Sequence, residues 1–393
     1  MSQQLINLSP DLKRIQNEGY ELEIRNGHAL ISNVPYVNNQ KEVKFGTLVS
    51  NLTLNGNVAC KPSCHVMYFT GEQPCNLDGT DIQQIKHTEQ PKLLANGIQV
   101  DRSFSNKPPN GYDDYYHKFT QYIAIISNPA KAVDHSVTAK TFRPVEAAND
   151  SEVFKYVDTN SSRAGISAVS AKMVNQKIGI IGLGGTGAYI LDLVAKTPVK
   201  EIHLFDGDDY CQHNAFRSPG AVSLEELKQC KSKVEFYKIK YGQMRRGIFA
   251  HDTFIDENNL TLFDDMHFVF VSVDNGSAKK AIFNYLKSMA IPFIDVGLGI
   301  QLVDDKLNGI LRTTLCTSDK ADHLEKLVSM DDGVNDDYSS NIQIAELNAF
   351  NASHAVIKWK KWSGFYHDHI HEHNTTYTLD VNMLLGDEND DAA

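Results

Sequence analysis

The residues best suited to chemistry begin with a glycine-rich run, Gly182-Leu-Gly184-Gly185-Thr-Gly187, which follows a short apolar segment and precedes a helix-forming one. Glycines at such a turn let backbone N–H groups approach a phosphate chain, and the N-terminus of the following helix adds a favourable dipole. Further along, Asp206 ends the next predicted strand, where a carboxylate can bind ribose hydroxyls. These features predict a nucleotide site.

Cationic and acidic side chains follow this loop within one hundred residues. They are Asp208, Arg217, Lys231 or Lys233, and Asp274. Nucleotidyl transfer needs cations to offset charge on the α-phosphate and carboxylates to hold magnesium, whereas hydride transfer has no such demand. The set therefore favours nucleotidyl transfer. A nucleotide-dependent oxidoreductase and a non-catalytic nucleotide-binding module are the alternatives.

The combined motif resembles that of the ThiF/MoeB superfamily, which includes the adenylation domains of ubiquitin-activating enzymes. The resemblance covers roughly residues 163–360 and rests on a glycine loop, a D-x-D pair, an Asn and an Arg at fixed offsets, a Lys, and an Asp-Asn pair. The matching residues are Gly182, Gly184, Gly185, Gly187, Asp206, Asp208, Asn214, Arg217, Lys233, Asp274 and Asn275.

The resemblance implies a role for each part of this motif. Asp206 would hold the ribose of ATP, while Asn214, Arg217 and Lys233 would contact its phosphates. Asp274, followed by Asn275, would place Mg²⁺. The implied reaction is the adenylation of the C-terminal carboxylate of a ubiquitin-like or sulfur-carrier protein, as in bacterial ubiquitin-like conjugation. Such enzymes usually pair through the adenylation domain, so we expect a homodimer.

Two further residues are candidates for catalysis by the same resemblance. Arg163 lies ahead of the first strand, where family members carry an Arg that reaches ATP, often in the partner subunit; the alternative is a solvated linker side chain. Cys316 follows a strand-like segment and is a candidate acceptor of the activated carrier as a thioester, because a thiolate is a strong nucleophile. The alternative is that Cys316 ends a buried strand.

Two departures separate the chain from many relatives. It has no pair of Cys-x-x-Cys motifs, so we expect no structural zinc. The Gln that usually follows the motif arginine is Ser218 here, and the segment from Ser218 to Gln229 is longer than usual.

These residues need an α/β scaffold to position them. Alternating strands and helices over residues 160–393 predict a Rossmann-like, ThiF-type adenylation domain, with strands at 177–181, 201–205, 267–273 and 292–296 and a long helix at 341–361. Alternate histidines at 367–373 predict an exposed strand, with a metal tract as the alternative.

Residues 1–148 predict a smaller α+β domain in which a helix from Pro10 precedes strands near 20–24, 28–32 and 45–54 and a helix at 112–126. This layout loosely resembles the ubiquitin-conjugating enzyme fold, without a His-Pro-Asn motif before a Cys.

Composition limits the partners and the compartment. The net charge of −11 disfavours a broad nucleic-acid-binding face. No apolar run approaches the roughly 20 residues of a membrane span, and the N-terminus lacks the pattern of a secretory signal. The six cysteines are scattered through the chain. We therefore expect a cytoplasmic protein that binds neither nucleic acid nor membranes.

Overall fold

The computed structural model describes residues 2–144, 152–328 and 342–386, with side chains described from Leu5 onward. These residues group into two compact units, one from 1–149 with 156–167 and the other from 150–155 with 168–393. Each unit encloses its own cluster of buried apolar side chains.

The first unit is α+β and has a six-stranded antiparallel sheet as its centre. The strand order is β1-β2-β3-β6-β10-β7, and two short hairpins, β4-β5 and β8-β9, stand apart from it. The elements are α1 (Ser2–Leu8), α2 (Pro10–Asn17), β1 (Glu21–Arg25), β2 (His28–Val37), β3 (Val43–Asn51), β4 (Leu54–Asn55), β5 (Val58–Ala59), β6 (Val66–Thr70), β7 (Lys86–Thr88), β8 (Lys92–Ala95), β9 (Ile98–Val100), β10 (Arg102–Ser105), α3 (Tyr115–Val133) and α4 (Thr159–Arg163).

Helix α3 packs its apolar face against this sheet, with Phe119, Tyr122 and Ile126 fully buried. The same helix buries Lys118, whose Nζ donates to Ser50 Oγ at 2.8 Å and to two backbone carbonyl oxygens at 2.9 and 2.8 Å. Because each ammonium N–H has an acceptor, this lysine joins the helix to β3 and to the start of β6 without a carboxylate partner.

The second unit is an α/β fold built on an eight-stranded sheet. Its order is β13-β12-β11-β14-β15-β16-β17-β18. The elements are α5 (Ser167–Ser170), β11 (Lys177–Ile181), α6 (Gly185–Ala195), β12 (Glu201–Phe205), α7 (Gln212–Ala215), α8 (Leu224–Leu227), α9 (Lys233–Gly242), β13 (Ile248–His251), β14 (Phe268–Val271), α10 (Gly276–Ser288), β15 (Phe293–Val303), β16 (Lys306–Cys316), α11 (Leu324–Leu327), α12 (Ala345–Trp362), β17 (Asn374–Thr378) and β18 (Met383–Gly386).

The strands from β13 to β15 pair in parallel, and those from β15 to β18 pair in antiparallel. The central strand β14 is buried at all four positions, which matches its uninterrupted apolar sequence, since parallel strands are covered on both faces. The carboxyl ends of β11, β12 and β14 meet at one edge of the sheet. That edge carries the glycine loop and is where open α/β sheets bind ligands.

The α/β class of this unit, with its Rossmann-like parallel sheet, is confirmed. One prediction outside the parallel core is wrong: residues 367–373 form no strand, and the next strand, β17, starts only at Asn374. The alternation of histidines there is a feature of an irregular segment. Over the described residues, no helix combines the length and the apolar character that crossing a bilayer requires.

Candidate nucleotide site

The glycine loop joins β11 to α6 in a conformation that needs glycine. Gly182 has a φ of +81°, and a Cβ there would meet the carbonyl oxygen of Ser272. A Cβ on Gly187 would meet the carbonyl oxygen of Gly182. The backbone of the loop therefore lies directly on the end of β14, which leaves the first turn of α6 facing the edge of the sheet.

Asp206, at the end of β12, is buried and fully engaged. Its Oδ2 accepts the N–H of Leu183 at 2.6 Å and its Oδ1 accepts the N–H of Asp208 at 2.9 Å. Lys233 Nζ lies 3.3 Å from both oxygens and 2.6 Å from Asp208 Oδ2. A carboxylate has about four acceptor positions, so the contacts with the backbone and Lys233 occupy all of them.

A cavity of about 390 Å³ lies beside this network. It brings together eight of the predicted residues from five separate segments. They are Gly182, Gly184, Asp206, Asp208, Arg217, Lys233, Asp274 and Asn275. One wall is apolar and includes Phe254, Ile255 and Ile282. The lining of the cavity thus offers two cations, three carboxylates and apolar side chains that could contact a flat ring.

Arg217 reaches the cavity from the turn after α7. Its carbonyl oxygen accepts a hydrogen bond from Asn348 Nδ2 at 3.3 Å, which ties the turn to α12. The Arg217 Nε is buried and has no acceptor among the described residues. A buried donor without an acceptor costs about 1–3 kcal/mol, so an anionic ligand on this side chain would offset a cost that the protein already bears.

Asn214 does not line the cavity. It is buried, and its Oδ1 accepts the N–H of Cys211 at 2.8 Å, which closes the first turn of α7. In this conformation Asn214 shapes the turn that leads to Arg217. Gly185 and Gly187 likewise lie within the loop and its helix without lining the cavity.

Asp274 and Asn275 stand at the start of α10. Asn275 caps this helix, since its Oδ1 accepts the N–H of Ala278 at 2.8 Å. Asp274 is exposed and lines the cavity together with Asp208. Two carboxylates beside cations suit Mg²⁺, which is usually held by one or two carboxylates together with substrate phosphates and water. The donor set therefore fits the expected metal, although no cluster of three or more His, Cys, Asp or Glu side chains in the described parts of the chain forms a complete metal site.

The other two predicted catalytic residues, Arg163 and Cys316, are not among those that line the cavity. Cys316 ends β16 within a buried apolar cluster, and burial raises the pKa of its thiol to about 11. This setting does not fit a thiol that must ionise and meet a carrier. Arg163 ends α4, is exposed, and groups with the first unit.

Sequence reasoning missed the apolar lining of the cavity and also two polar residues that hydrogen-bond to the first turn of α6. Gln343 lines the cavity, and its Oε1 accepts the N–H of Gly185 at 3.1 Å. Asn348 is fully buried and accepts from Thr186 Oγ1 at 2.9 Å. Gln343 carries no local signal, because it stands in a polar stretch far from the motifs. Asn348 could have been noticed as a polar residue on the apolar face of a predicted helix.

Two family models match this chain. Residues 10–159 match a domain of unknown function, DUF6791, and residues 161–303 match the ThiF family. Two curated relatives are each described as a tRNA threonylcarbamoyladenosine dehydratase. The one from Haemophilus influenzae is 26% identical over 129 residues, 32% of this chain and 49% of its own. The one from Escherichia coli is 25% identical over 120 residues, 30% and 44% of the two chains. The chain thus spans about half the length of the curated relatives it matches.

Solved structures with a similar fold include PaaA and E. coli MccB in complex with ATP. PaaA has a TM-score of 0.45 at 19% identity and covers 56% of this chain and 75% of its own. The MccB complex has a TM-score of 0.44 at 20% identity, with coverage of 57% and 67%.

Proposed function

Because residues 161–303 form a ThiF family domain, we propose that this protein uses ATP to adenylate the C-terminal carboxylate of a ubiquitin-like or sulfur-carrier protein. The observation that carries the proposal is the cavity at the sheet edge, where Arg217 and Lys233 stand beside Asp208 and Asp274. This is the arrangement of charge that transfer of an adenylyl group needs.

The proposed reaction is a substitution at the α-phosphate. A carboxylate oxygen of the carrier forms a bond to the α-phosphorus while the bond to the oxygen that bridges the α- and β-phosphates breaks. Pyrophosphate leaves with that electron pair, and the acyl-adenylate remains. Arg217 and Lys233 would stabilise the charge that develops on the phosphate oxygens, so their contribution is positioning and electrostatic. When bound, Mg²⁺ would supply further neutralisation, with Asp274 and Asp208 as its protein ligands.

The filled acceptor positions of Asp206 give nucleotide binding a defined order of contacts. A ribose hydroxyl can donate to Asp206 only if Lys233 withdraws from it, since the backbone donors are fixed by the loop. Lys233 then loses its contact with the Asp206 carboxylate, and a phosphate in the same cavity can replace that carboxylate as its partner. Ribose binding and the movement of Lys233 onto phosphate are therefore coupled in the proposed mechanism.

The test uses the full chain with ATP, Mg²⁺ and candidate small proteins that end in Gly-Gly. We expect ATP–pyrophosphate exchange that depends on one of these proteins. The matched control is the same protein with its terminal carboxylate converted to an amide, which cannot attack phosphorus. Exchange that persists with the amide, or binding of NAD⁺ in preference to ATP, would contradict the proposal in favour of another nucleotide-dependent activity.

A second candidate is an activity on tRNA, which the names of the curated relatives suggest. The net charge of −11 weighs against it, because tRNA binding relies on cationic surface. A gel-shift assay with bulk tRNA at about 0.15 M salt separates the two candidates. We expect no complex, and a stable one that ATP strengthens would favour the tRNA substrate.

A further inference from the structure

The neutral side-chain amide of Gln343 lies at the N-terminus of α6, where the glycine loop faces the cavity. Gln343 lines the cavity together with Arg217 and Lys233, and its Oε1 accepts the N–H of Gly185 at 3.1 Å. Because an N–H group requires an acceptor, the amide oxygen must face Gly185. The amide nitrogen and its two N–H donors are then left on a side chain that borders the cavity.

The chain that carries Gln343 is held in place one turn further on, by Asn348. The N–H of Asn348 donates to Ile344 O at 2.9 Å as α12 begins. Its side chain accepts from Thr186 Oγ1 at 2.9 Å and donates to Arg217 O at 3.3 Å. Asn348 is fully buried. The start of α12, the first turn of α6 and the turn of Arg217 are thus joined through one side chain, and Gln343 lies at that junction.

We propose that Gln343 contacts the substrate: it stays on Gly185 and presents its amide N–H groups to the phosphate oxygens of ATP. This inference rests on the proposed function. The N–H of Gly185 already donates to Gln343 Oε1. The amide N–H groups of Gln343 would therefore replace it as the donors that face the cavity. A neutral donor suits a cavity that Asp206 and Asp208 also line, since it binds an anionic oxygen without adding a charge that these carboxylates would attract.

Two substitutions test whether Gln343 donates hydrogen bonds to ATP or only occupies the position of a phosphate. Gln343→Leu removes both the acceptor and the donors. Gln343→Glu keeps an acceptor for the N–H of Gly185 but turns a negative oxygen toward the triphosphate. The matched control is Gln301→Glu, which makes the same charge change on the exposed end of β15, outside the cavity. Binding of ATP and of adenosine to the full chain is measured by calorimetry, since adenosine has no phosphates.

We expect ATP affinity to fall by about tenfold to a hundredfold in Gln343→Leu, the loss of one hydrogen bond to a charged group, and further in Gln343→Glu. Adenosine affinity should stay unchanged in both variants, and Gln301→Glu should match the wild type. Unchanged or tighter ATP binding by Gln343→Leu would overturn the inference, because Gln343 would then only occupy the phosphate position. An equal loss for adenosine would overturn it too. Failure of the wild-type protein to bind ATP would instead overturn the proposed function itself.

Discussion

Replacing Lys233 with methionine tests whether the buried cation serves ATP or only the fold. The substitution keeps the length of the side chain and removes its charge. Lys233 Nζ lies 2.6 Å from Asp208 Oδ2 and 3.3 Å from both oxygens of Asp206. Lys233 and Asp206 are both buried, whereas 56% of the Asp208 side chain is exposed. Loss of the cation therefore acts mainly on Asp206.

The expected loss of stability follows from what Asp206 retains. Removing one partner of a buried ion pair costs about 3–5 kcal/mol. Here the Leu183 and Asp208 N–H groups still donate to the carboxylate, so we expect a loss of about 2–3 kcal/mol. In a unit of this size that corresponds to a fall in melting temperature of about 5–10 °C.

The expected loss of catalysis is larger. Removing one contact made in the transition state typically lowers the rate by about 10²–10³-fold. Because Lys233 must leave Asp206 and Asp208 before it reaches phosphate, part of its interaction energy is spent on that exchange. We therefore expect the lower end, a drop of about 10²-fold in ATP–pyrophosphate exchange.

The matched control is Lys279→Met, which also removes a lysine from a buried ion pair in the same unit. Lys279 Nζ lies 3.1 Å from Asp295 Oδ1, and the two groups form an ion pair without a hydrogen bond. Lys279 does not line the cavity. It should lower the melting temperature while exchange stays near the wild-type rate at a temperature where both variants are folded. If Lys233→Met were destabilised but kept exchange within about threefold of wild type, Lys233 would be structural and its assigned role wrong.

Three other predictions address metal, thiol and pH. Asp274→Asn should raise the Mg²⁺ concentration for half-maximal exchange by at least about tenfold, and an unchanged magnesium dependence would remove Asp274 from the metal site. Cys316→Ser should leave any carrier adduct on a non-reducing gel intact, because a thiol whose pKa is raised to about 11 holds roughly one part in 10⁴ as thiolate at pH 7; loss of a thiol-labile adduct would show the opposite. Burial lowers the pKa of Lys118 from 10.5 to about 8, so the unfolded chain binds more protons between those values and this group makes the first unit more stable as pH rises from about 8 to 10.5. Lys118→Met should abolish this rise in the free energy of unfolding, which is at most about 3 kcal/mol. The measurement is urea unfolding at several pH values, monitored by hydrogen exchange in β3 and β6. An equal pH dependence in the variant would contradict the prediction.

Four of the five parallel strands are predicted from the sequence, and β13 (Ile248–His251) is not. The predicted segments 177–181 and 201–205 have the bounds of β11 and β12, because each is followed at once by a residue that marks the end of a strand, Gly182 after the first and Asp206 after the second. Strands outside this core gave weaker signals. β17, with its sequence Asn-Thr-Thr-Tyr-Thr, is half-polar, and β18 is exposed throughout, so their pairing depends on neighbours far away in sequence.

The residues of the candidate site also differ in how well the sequence predicts them. Asp206 and Asp274 follow the ends of β12 and β14, whereas Arg217 stands in the turn after α7 and Lys233 begins α9. One cavity collects all four residues, which the resemblance to the ThiF/MoeB superfamily implies. The burial of Cys316 is one of the two alternatives that the sequence leaves open, because β16 mixes polar and apolar residues without a regular alternation that would show which positions are covered. Gln343 meets Gly185 across 158 residues of chain, a contact that only the packing of α12 on α6 creates.

Lys233 is already paired with carboxylates within the site, and this pairing has a consequence for nucleotide selectivity. Lys233 is held by two carboxylates, so a phosphate alone must compete with both for the cation. A ribose hydroxyl changes that competition, because it takes over acceptor positions on Asp206 and weakens the hold on Lys233. Ribose and phosphate binding should therefore favour each other, and inorganic triphosphate should bind more weakly than its share of the ATP contacts would suggest. A 2′,3′-dideoxy analogue of ATP should lose affinity through both ends of the molecule, since without the hydroxyls Lys233 stays on Asp206 and the triphosphate loses its cation.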